Sequence, residues 1–583
     1  MKRILNKLLR TLSEDRPVMD VSIISVAISI IFIATNISFF INDHNNLKGD
    51  FSLLTGNTMK FTNYWLKDGI VNDKFAMLEK PLSIESSTFD ERTPYISYPN
   101  GVVLIPYGIA KILGLKQVDP QFIRNINVMF YGLDAILIGI LFYLSLTYLL
   151  KIRTKTGRII LPVLLSWLWI ELPINGYYLQ FVFFSDQLVL FFIYLLLVLE
   201  LLKNYSGITH TKHKIIINIL LFLTILYGML VDYYFWIQLF ILCVINFTNS
   251  LLQKESVSCS VKKLSVYVIP AFLGVGLYLF QLIQVNDWTN ILFDIAKYRM
   301  GLGEELVGHS VLRTITDRIV VAYGWSGFIV FIAFTVAFIT ILYVNIFKSS
   351  ILHNKGLHKN ILLLFCLIIL PAYIQLGVLN NHCKGHEFAI LKLGFLFVSG
   401  FLLVTYAVFV FFKQPLNSAL EMTTLKQHHG YEKRLLNRYC CLTVVLLIAY
   451  LLTSGFSLRR YQYAALRYYY RNPTFEMAEI VKRQATYENV FFSYTDSITD
   501  LRSTIIQLQP LLHLSNKMVY RIDDFSDIQQ LFPELPTSAV ILLVINKNAE
   551  KSNDVEEKER YVVEAGQPVE ESDNYVIYKL PPH

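Results

Sequence analysis

Asn42-Asp43-His44-Asn45-Asn46-Leu47-Lys48-Gly49-Asp50 follows directly on a long apolar run and opens a polar loop, residues 42–124. The same loop later carries Asp90-Glu91-Arg92 and Ser97-Tyr98-Pro99-Asn100-Gly101. Beyond it the chain is mostly apolar runs broken by short connections, as far as about Phe456. Carboxylates held where a chain leaves an apolar run cost desolvation free energy. Such a loop is therefore read as a working element at a membrane face, flanked by membrane spans.

Composition agrees with that reading. The 583 residues are 54% hydrophobic, 14% aromatic and 16% charged, whereas a soluble domain carries roughly a quarter charged residues. Forty-one Phe and thirty-five Tyr suit lipid-facing surfaces and interfacial belts. The net charge of +8 does not point to nucleic acid, because many of the basic residues lie in short gaps between apolar runs.

A span needs about 20 apolar residues. Eleven segments qualify: 18–41, 126–150, 159–179, 185–202, 215–231, 234–249, 264–285, 319–347, 361–379, 388–412 and 440–456. Lys2, Arg3, Lys7, Arg10 and Arg16 precede the first. Lys151, Arg153, Lys155 and Arg158 follow the second; Lys203, Lys212 and Lys214 follow the fourth. Lys254, Lys262 and Lys263 follow the sixth, Lys348, Lys355 and Lys359 the eighth, and Lys413, Lys426, Lys433 and Arg434 the tenth. By the positive-inside rule these gaps are cytoplasmic, as is the amino terminus, and the carboxyl terminus is external. The first span lacks a small-residue cleavage site and reads as a retained helix. The short gap at Leu230–Tyr234 is where the count is most exposed, since one kinked element there would invert everything downstream.

This gives an α-helical polytopic membrane protein in three parts. Residues 1–17 form a cytoplasmic basic tail, 18–456 the transmembrane domain with its external first loop, and 457–583 an external domain. In the last part strand patterns at 489–494, 517–521, 539–545 and 575–579 alternate with helical patterns at 497–509 and 526–532. That order predicts a small α/β domain with a largely parallel sheet. It has no glycine-rich phosphate loop. Of the six cysteines only Cys383 falls in an external loop, so no disulfide framework is expected. No glycosylation acceptor falls in an external segment, which with the cysteine usage favours a bacterial or archaeal plasma membrane.

Asp43 and Asp50 sit just beyond a helix end, seven residues apart, so both would share a face if the helix continued. Each can serve as a base or simply cap a helix. The order Gly49-Asp50, the amphipathic run 59–65, then Tyr98-Pro99-Asn100-Gly101 leading into apolar 102–107, resembles the first external loop of the GT-C superfamily of polytopic glycosyltransferases. Protein O-mannosyltransferases and aminoarabinose transferases belong to that superfamily. The resemblance extends to the architecture of the whole chain, though its motifs are short. It implies transfer of a sugar from a polyprenyl-phosphate donor to a glycan, lipid or protein acceptor at the external face, with inversion. The first-loop acid is the family's general base, which carries over to Asp50, with Asp43 closer to the helix end as the rival. The second acidic position has its nearest counterparts in Asp90 and Glu91, beside Arg92. No cofactor is implied, and a divalent metal is left open.

Other external residues can serve the same chemistry. In Asn380–Phe388, His382, Lys384 and His386 are able to hydrogen-bond a lipid phosphate, with Glu387 adjacent. A zinc motif is absent there, because Ile390 stands where His-Glu-x-x-His needs its second His. In loop 286–318, Arg299 and Arg313 are candidate phosphate clamps, and Gly301-Leu302-Gly303 reads as a hinge. Asp134, Glu171, Asp186 and Asp232 are ionisable groups within or beside spans, the last two near the external face. A transporter or flippase of lipid-linked glycans is the alternative function. Against it, the spans show no repeated halves and no matching pairs of broken helices.

Overall fold

The computed structural model describes residues 16–36, 52–78, 94–149, 156–205, 211–302, 311–347, 355–385, 387–401, 483–484, 489–494, 519–522, 540–546, 568–571 and 575–579. Helix α1 (Arg16–Thr35) is followed by α2 (Ser52–Tyr64), the antiparallel pair β1 (Met77–Leu78) and β2 (Pro94–Tyr95), and α3 (Gly101–Ile112). Then come α4 (Pro120–Leu144), α5 (Leu161–Ile170), α6 (Pro173–Phe181), α7 (Ser185–Tyr205), α8 (Thr211–Met229), α9 (Tyr233–Leu252) and α10 (Val257–Leu282). α11 (Trp288–Arg299), α12 (Val311–Phe347), α13 (Lys355–Val378), α14 (Asn380–Gly385) and a 3-10 turn, Glu387–Lys392, follow among the described residues, with an apolar helix running on to Phe401.

Among the described residues six helices are long and apolar enough to cross a bilayer, and a seventh if the bent α12 counts as one span. The chain is an integral, multi-pass membrane protein. Burial orders the bundle: 83% of the apolar window of α7 is covered by protein, against 22% for α1. α7 is thus the central post and α1 a lipid-facing stave. α4 packs on α1, α5, α6 and α7, while α8 fits between α7 and α10. Phe272, Leu273 and Ile269 of α10 face outward, as a lipid-exposed surface requires.

Several expectations are revised. The third span, 159–179, is two helices broken at Glu171-Leu172, with Leu172 extended at φ −61°, ψ 128°. Pro173 is the cause, since a residue before proline is pushed out of the helical region and proline donates no hydrogen bond. The freed groups are satisfied internally, as membrane depth demands: Tyr131 donates to the Ile170 carbonyl at 2.5 Å and Asn175 Nδ2 to the Trp169 carbonyl at 2.7 Å. The eighth span begins earlier, at Val311, and bends by 85° between Arg313–Val320 and Ala322–Val336, with Gly324 non-helical just beyond the break. The φ of 75° and ψ of 170° there suit glycine alone. The tenth span opens as the 3-10 turn and carries a buried lysine. The gap at Leu230–Tyr234 holds two separate helices, α8 and α9, joined by a three-residue turn. The eleventh span, 440–456, lies outside the described residues.

In the carboxyl-terminal part, β3 (Asn489–Tyr494), β4 (Val519–Ile522), β5 (Val540–Asn546), β6 (Glu570–Glu571) and β7 (Tyr575–Lys579) form one sheet in the order β4-β3-β5-β7-β6. β3 runs parallel to β4 and β5, whereas β7 is antiparallel to β5 and β6. The sheet is mixed where a largely parallel one was expected. The predicted helices 497–509 and 526–532 lie outside the described residues.

Candidate functional site

α2, the first described helix of the first loop, is polar in sequence yet covered almost all round. Thr55, Thr58, Lys60, Thr62 and Asn63 are all buried. Its hydrogen bonds explain why a polar helix is held there. Thr58 Oγ1 donates to the Phe183 carbonyl at 3.2 Å, and Thr55 Oγ1 accepts the Phe183 N–H at 3.1 Å. Asn63 pairs with both backbone groups of Val118, at 3.0 and 2.8 Å. The first loop is thereby fixed to the linker that leads into α7 and to the entry of α4.

The Ser97–Gly101 motif is fixed in the same manner to the turn between α8 and α9. Gly101 N–H donates to the Leu230 carbonyl at 2.7 Å, and Tyr227 donates to the Gly101 carbonyl at 2.7 Å. A Cβ on Gly101 would stand 2.3 Å from the Leu230 oxygen, so only glycine fits. Tyr278 donates to the Ile96 carbonyl at 3.1 Å and meets the Tyr233 hydroxyl at 2.6 Å. Tyr98 is buried between Tyr95 and Phe184, with ring centroids 5.0 and 4.7 Å away.

Where these contacts converge, three charged side chains meet. Lys392 Nζ lies 2.7 Å from Asp186 Oδ1 and 3.1 Å from Asp232 Oδ1, and their side chains are 3%, 5% and 11% exposed. Asp232 caps α9, its Oδ1 accepting the Tyr234 N–H at 2.7 Å. Asp186 occupies the first turn of α7, where a negative charge suits the helix dipole. The Lys392 ammonium also lies 5.0 Å from the centroid of the Tyr234 ring. Three segments far apart in sequence are thus joined by charge in a protein-covered site. With two carboxylates against one ammonium, its formal charge is −1.

Arg299 ends α11 with its guanidinium 5.6 Å from the Tyr233 ring centroid, next to Asp232. Gly301, at φ +70°, lies against α14, and Asn381 Nδ2 donates to the Tyr298 carbonyl at 2.8 Å. The expected hinge is therefore a left-handed glycine turn docked on the His382 segment. His382 is half-buried on α14, Lys384 belongs to the same helix, and Glu387 opens the 3-10 turn that ends at Lys392. Burial in that segment pushes the Cys383 thiol up to about 12. The structure therefore brings Tyr98, Arg299 and His382 to one end of the bundle. Asp43, Asp50, Asp90, Glu91, Arg92 and His386 lie outside the described residues. Among the described residues no three His, Cys, Asp or Glu side chains cluster to hold a metal ion.

Lys392 is the functional candidate that sequence reading missed. A lone lysine in an apolar run reads as an interfacial cation. The available signal was its company, since Asp186 and Asp232 are equally isolated acids beside spans and lacked a partner of opposite charge.

The fold matches solved membrane-protein structures over nearly its whole length. It is similar to the crystal structure of ArnT from Cupriavidus metallidurans bound to undecaprenyl phosphate, with a TM-score of 0.50 and 10% identity over 96% of this chain and 97% of that one. The apo state of the same protein gives a TM-score of 0.51 and 10% identity over 94% and 97%. ArnT is an aminoarabinose transferase. No protein-family model and no curated protein sequence matches the chain.

Proposed function

We propose that this chain is a membrane glycosyltransferase that moves a sugar from a polyprenyl-phosphate donor to an acceptor at the external membrane face. The observation carrying this reading is the end-to-end likeness in fold to ArnT, whose structure holds undecaprenyl phosphate. At this identity the likeness speaks for the fold, and the site residues supply the chemistry. Asp50, or Asp43 in its place, takes the acceptor's proton as general base. Arg299, with His382, Lys384 and His386, supplies positive charge for the leaving phosphate. Asp90 and Glu91 are the first-loop candidates for the second acid, and Asp186 is a further buried carboxylate able to take that role. Attack by the deprotonated acceptor opposite the phosphate gives inversion. The amino terminus is cytoplasmic, and the domain after residue 457 stands on the external side with the first loop.

The flippase reading draws on the two broken spans, at Glu171-Leu172 and within α12, since discontinuous helices line transport sites. A single assay separates the two. Purified chain in liposomes is given undecaprenyl-phosphate-linked sugars together with a membrane-lipid and glycan acceptor mixture. Transfer releases undecaprenyl phosphate. A flippase moves the intact donor across the bilayer with no release, and that outcome would replace the proposal.

A further inference from the structure

Each partner in the Asp186–Lys392–Asp232 cluster lies within a few residues of a different candidate substrate contact. Asp232 adjoins Tyr233, whose ring carries the Arg299 guanidinium at 5.6 Å. Asp186 follows Phe184 by two residues, and Phe184 packs on Tyr98 at 4.7 Å. Lys392 closes the 3-10 turn that Glu387 opens, directly after the α14 helix of His382 and Lys384. Among the described residues no backbone hydrogen bond joins the start of α7, the α8–α9 turn and residues 387–392 to one another, so side chains carry the contact between them. Two carboxylates drawn onto one ammonium, all nearly inaccessible to water, make a strong and directional link.

We infer that Lys392 is a positioning residue for the transfer reaction. It does not touch the substrate but, through Asp186 and Asp232, holds the Tyr98, Arg299 and His382 segments in the register that binds the donor's phosphate. Its charge also fixes the orientation of the Asp186 carboxylate. The inference rests on the glycosyltransferase reading and adds a residue to it that neither a motif nor the first-loop resemblance supplies. The alternative, that the cluster merely stabilises the bundle, makes a different prediction: stability would change on substitution, whereas affinity for the phosphate would not.

The test uses the full chain in nanodiscs with undecaprenyl phosphate as the probe, reading Tm without the lipid and Kd from a titration. Lys392→Met is expected to lower Tm and to weaken Kd at least tenfold, and Lys392→Arg to keep Kd within about threefold of wild type. The neutral triple variant Lys392→Met/Asp186→Asn/Asp232→Asn removes the unpaired charge and keeps a capping side chain at 232. It is expected to regain most of the Tm while Kd stays weak. A Lys392→Met variant with wild-type Kd overturns the inference, as does a neutral triple variant that regains both quantities. Loss of Kd in Lys392→Arg at native Tm overturns it in another way, by indicating that the ammonium itself meets the phosphate. Wild-type protein that fails to bind undecaprenyl phosphate rejects the donor reading itself, a result distinct from any failure of a variant.

Discussion

Two polar clusters sit on the central helix α7 and differ in how they are built. At one end Asp186 meets Asp232 and Lys392. Fourteen residues on, about 21 Å along the helix at 1.5 Å per residue, Glu200 is equally buried. Its Oε1 accepts from Asn204 at 2.5 Å and Asn246 at 3.1 Å, and its Oε2 from Tyr267 at 2.6 Å. Lys203 completes that cluster by donating to the Tyr267 hydroxyl at 2.9 Å. Here every member lies on a long regular helix, α7, α9 or α10, and one carboxylate faces one ammonium. This is a staple between helices. The Asp186 cluster instead ties a helix start, a turn and a 3-10 segment, and it keeps an excess negative charge. Buried charge left unbalanced where loops converge is costly to stability, and in a membrane protein such groups are candidates for function.

The contrast can be broken by substitution. Lys392→Met leaves two buried carboxylates uncompensated and should cost about 3–5 kcal/mol, read as a fall in the thermal or denaturant midpoint. A loss below about 1 kcal/mol would make the Asp186 cluster no more than another staple. Gly101→Ala forces a methyl group against the Leu230 carbonyl beside Asp232 and should cost about 1–3 kcal/mol, in the same measurement. Glu200→Gln keeps the shape and an acceptor oxygen, so about 1 kcal/mol is expected, with no effect on undecaprenyl phosphate affinity. A change in that affinity would mean that both clusters serve the site.

Thiol labelling sharpens the comparison at the smallest scale. Cys383 lies fully buried beside the Asp186 cluster. Only the thiolate reacts, and burial keeps Cys383 in its neutral form until the pH approaches about 12. Maleimide at pH 7–9 should leave it unmodified in the folded protein, while the exposed Cys259 at the start of α10 reacts. In the proposed orientation an impermeant reagent reaches Cys259 from the cytoplasmic side alone. Labelling of Cys259 from outside would break the eleven-span count, and with it the shared location of the first loop and the carboxyl-terminal part.

Much of the fold was legible in the sequence because membrane burial writes long apolar runs. α1, α4 and α7 to α10 coincide with the predicted spans, and β3 and β7 have the predicted limits. The break at Leu172-Pro173 was not, although the proline is in plain view, because apolar residues continue on both sides and hydropathy is blind to backbone geometry. The site was half legible. Asp186 and Asp232 stood out as isolated acids, yet their meeting with Lys392 needs residues 160 and 206 positions apart to be folded together, and no periodicity reports that. Tyr98 was recognised through its motif, but its burial against Phe184 depends on α2 being fixed to the Val182–Phe184 linker.

The proposed glycosyl transfer requires a general base, assigned to a first-loop carboxylate. The most direct measurement is the rate of undecaprenyl phosphate release from an undecaprenyl-phosphate sugar in wild type, Asp50→Asn and Asp43→Asn, at equal donor occupancy. Loss of a general base lowers the rate by about 10²–10⁴, and it should do so in Asp50→Asn with donor affinity little changed, while Asp43→Asn remains near wild type. The reverse pattern would transfer the role to Asp43. Full activity in both variants would exclude a first-loop carboxylate as the base and, with it, the proposed transfer mechanism.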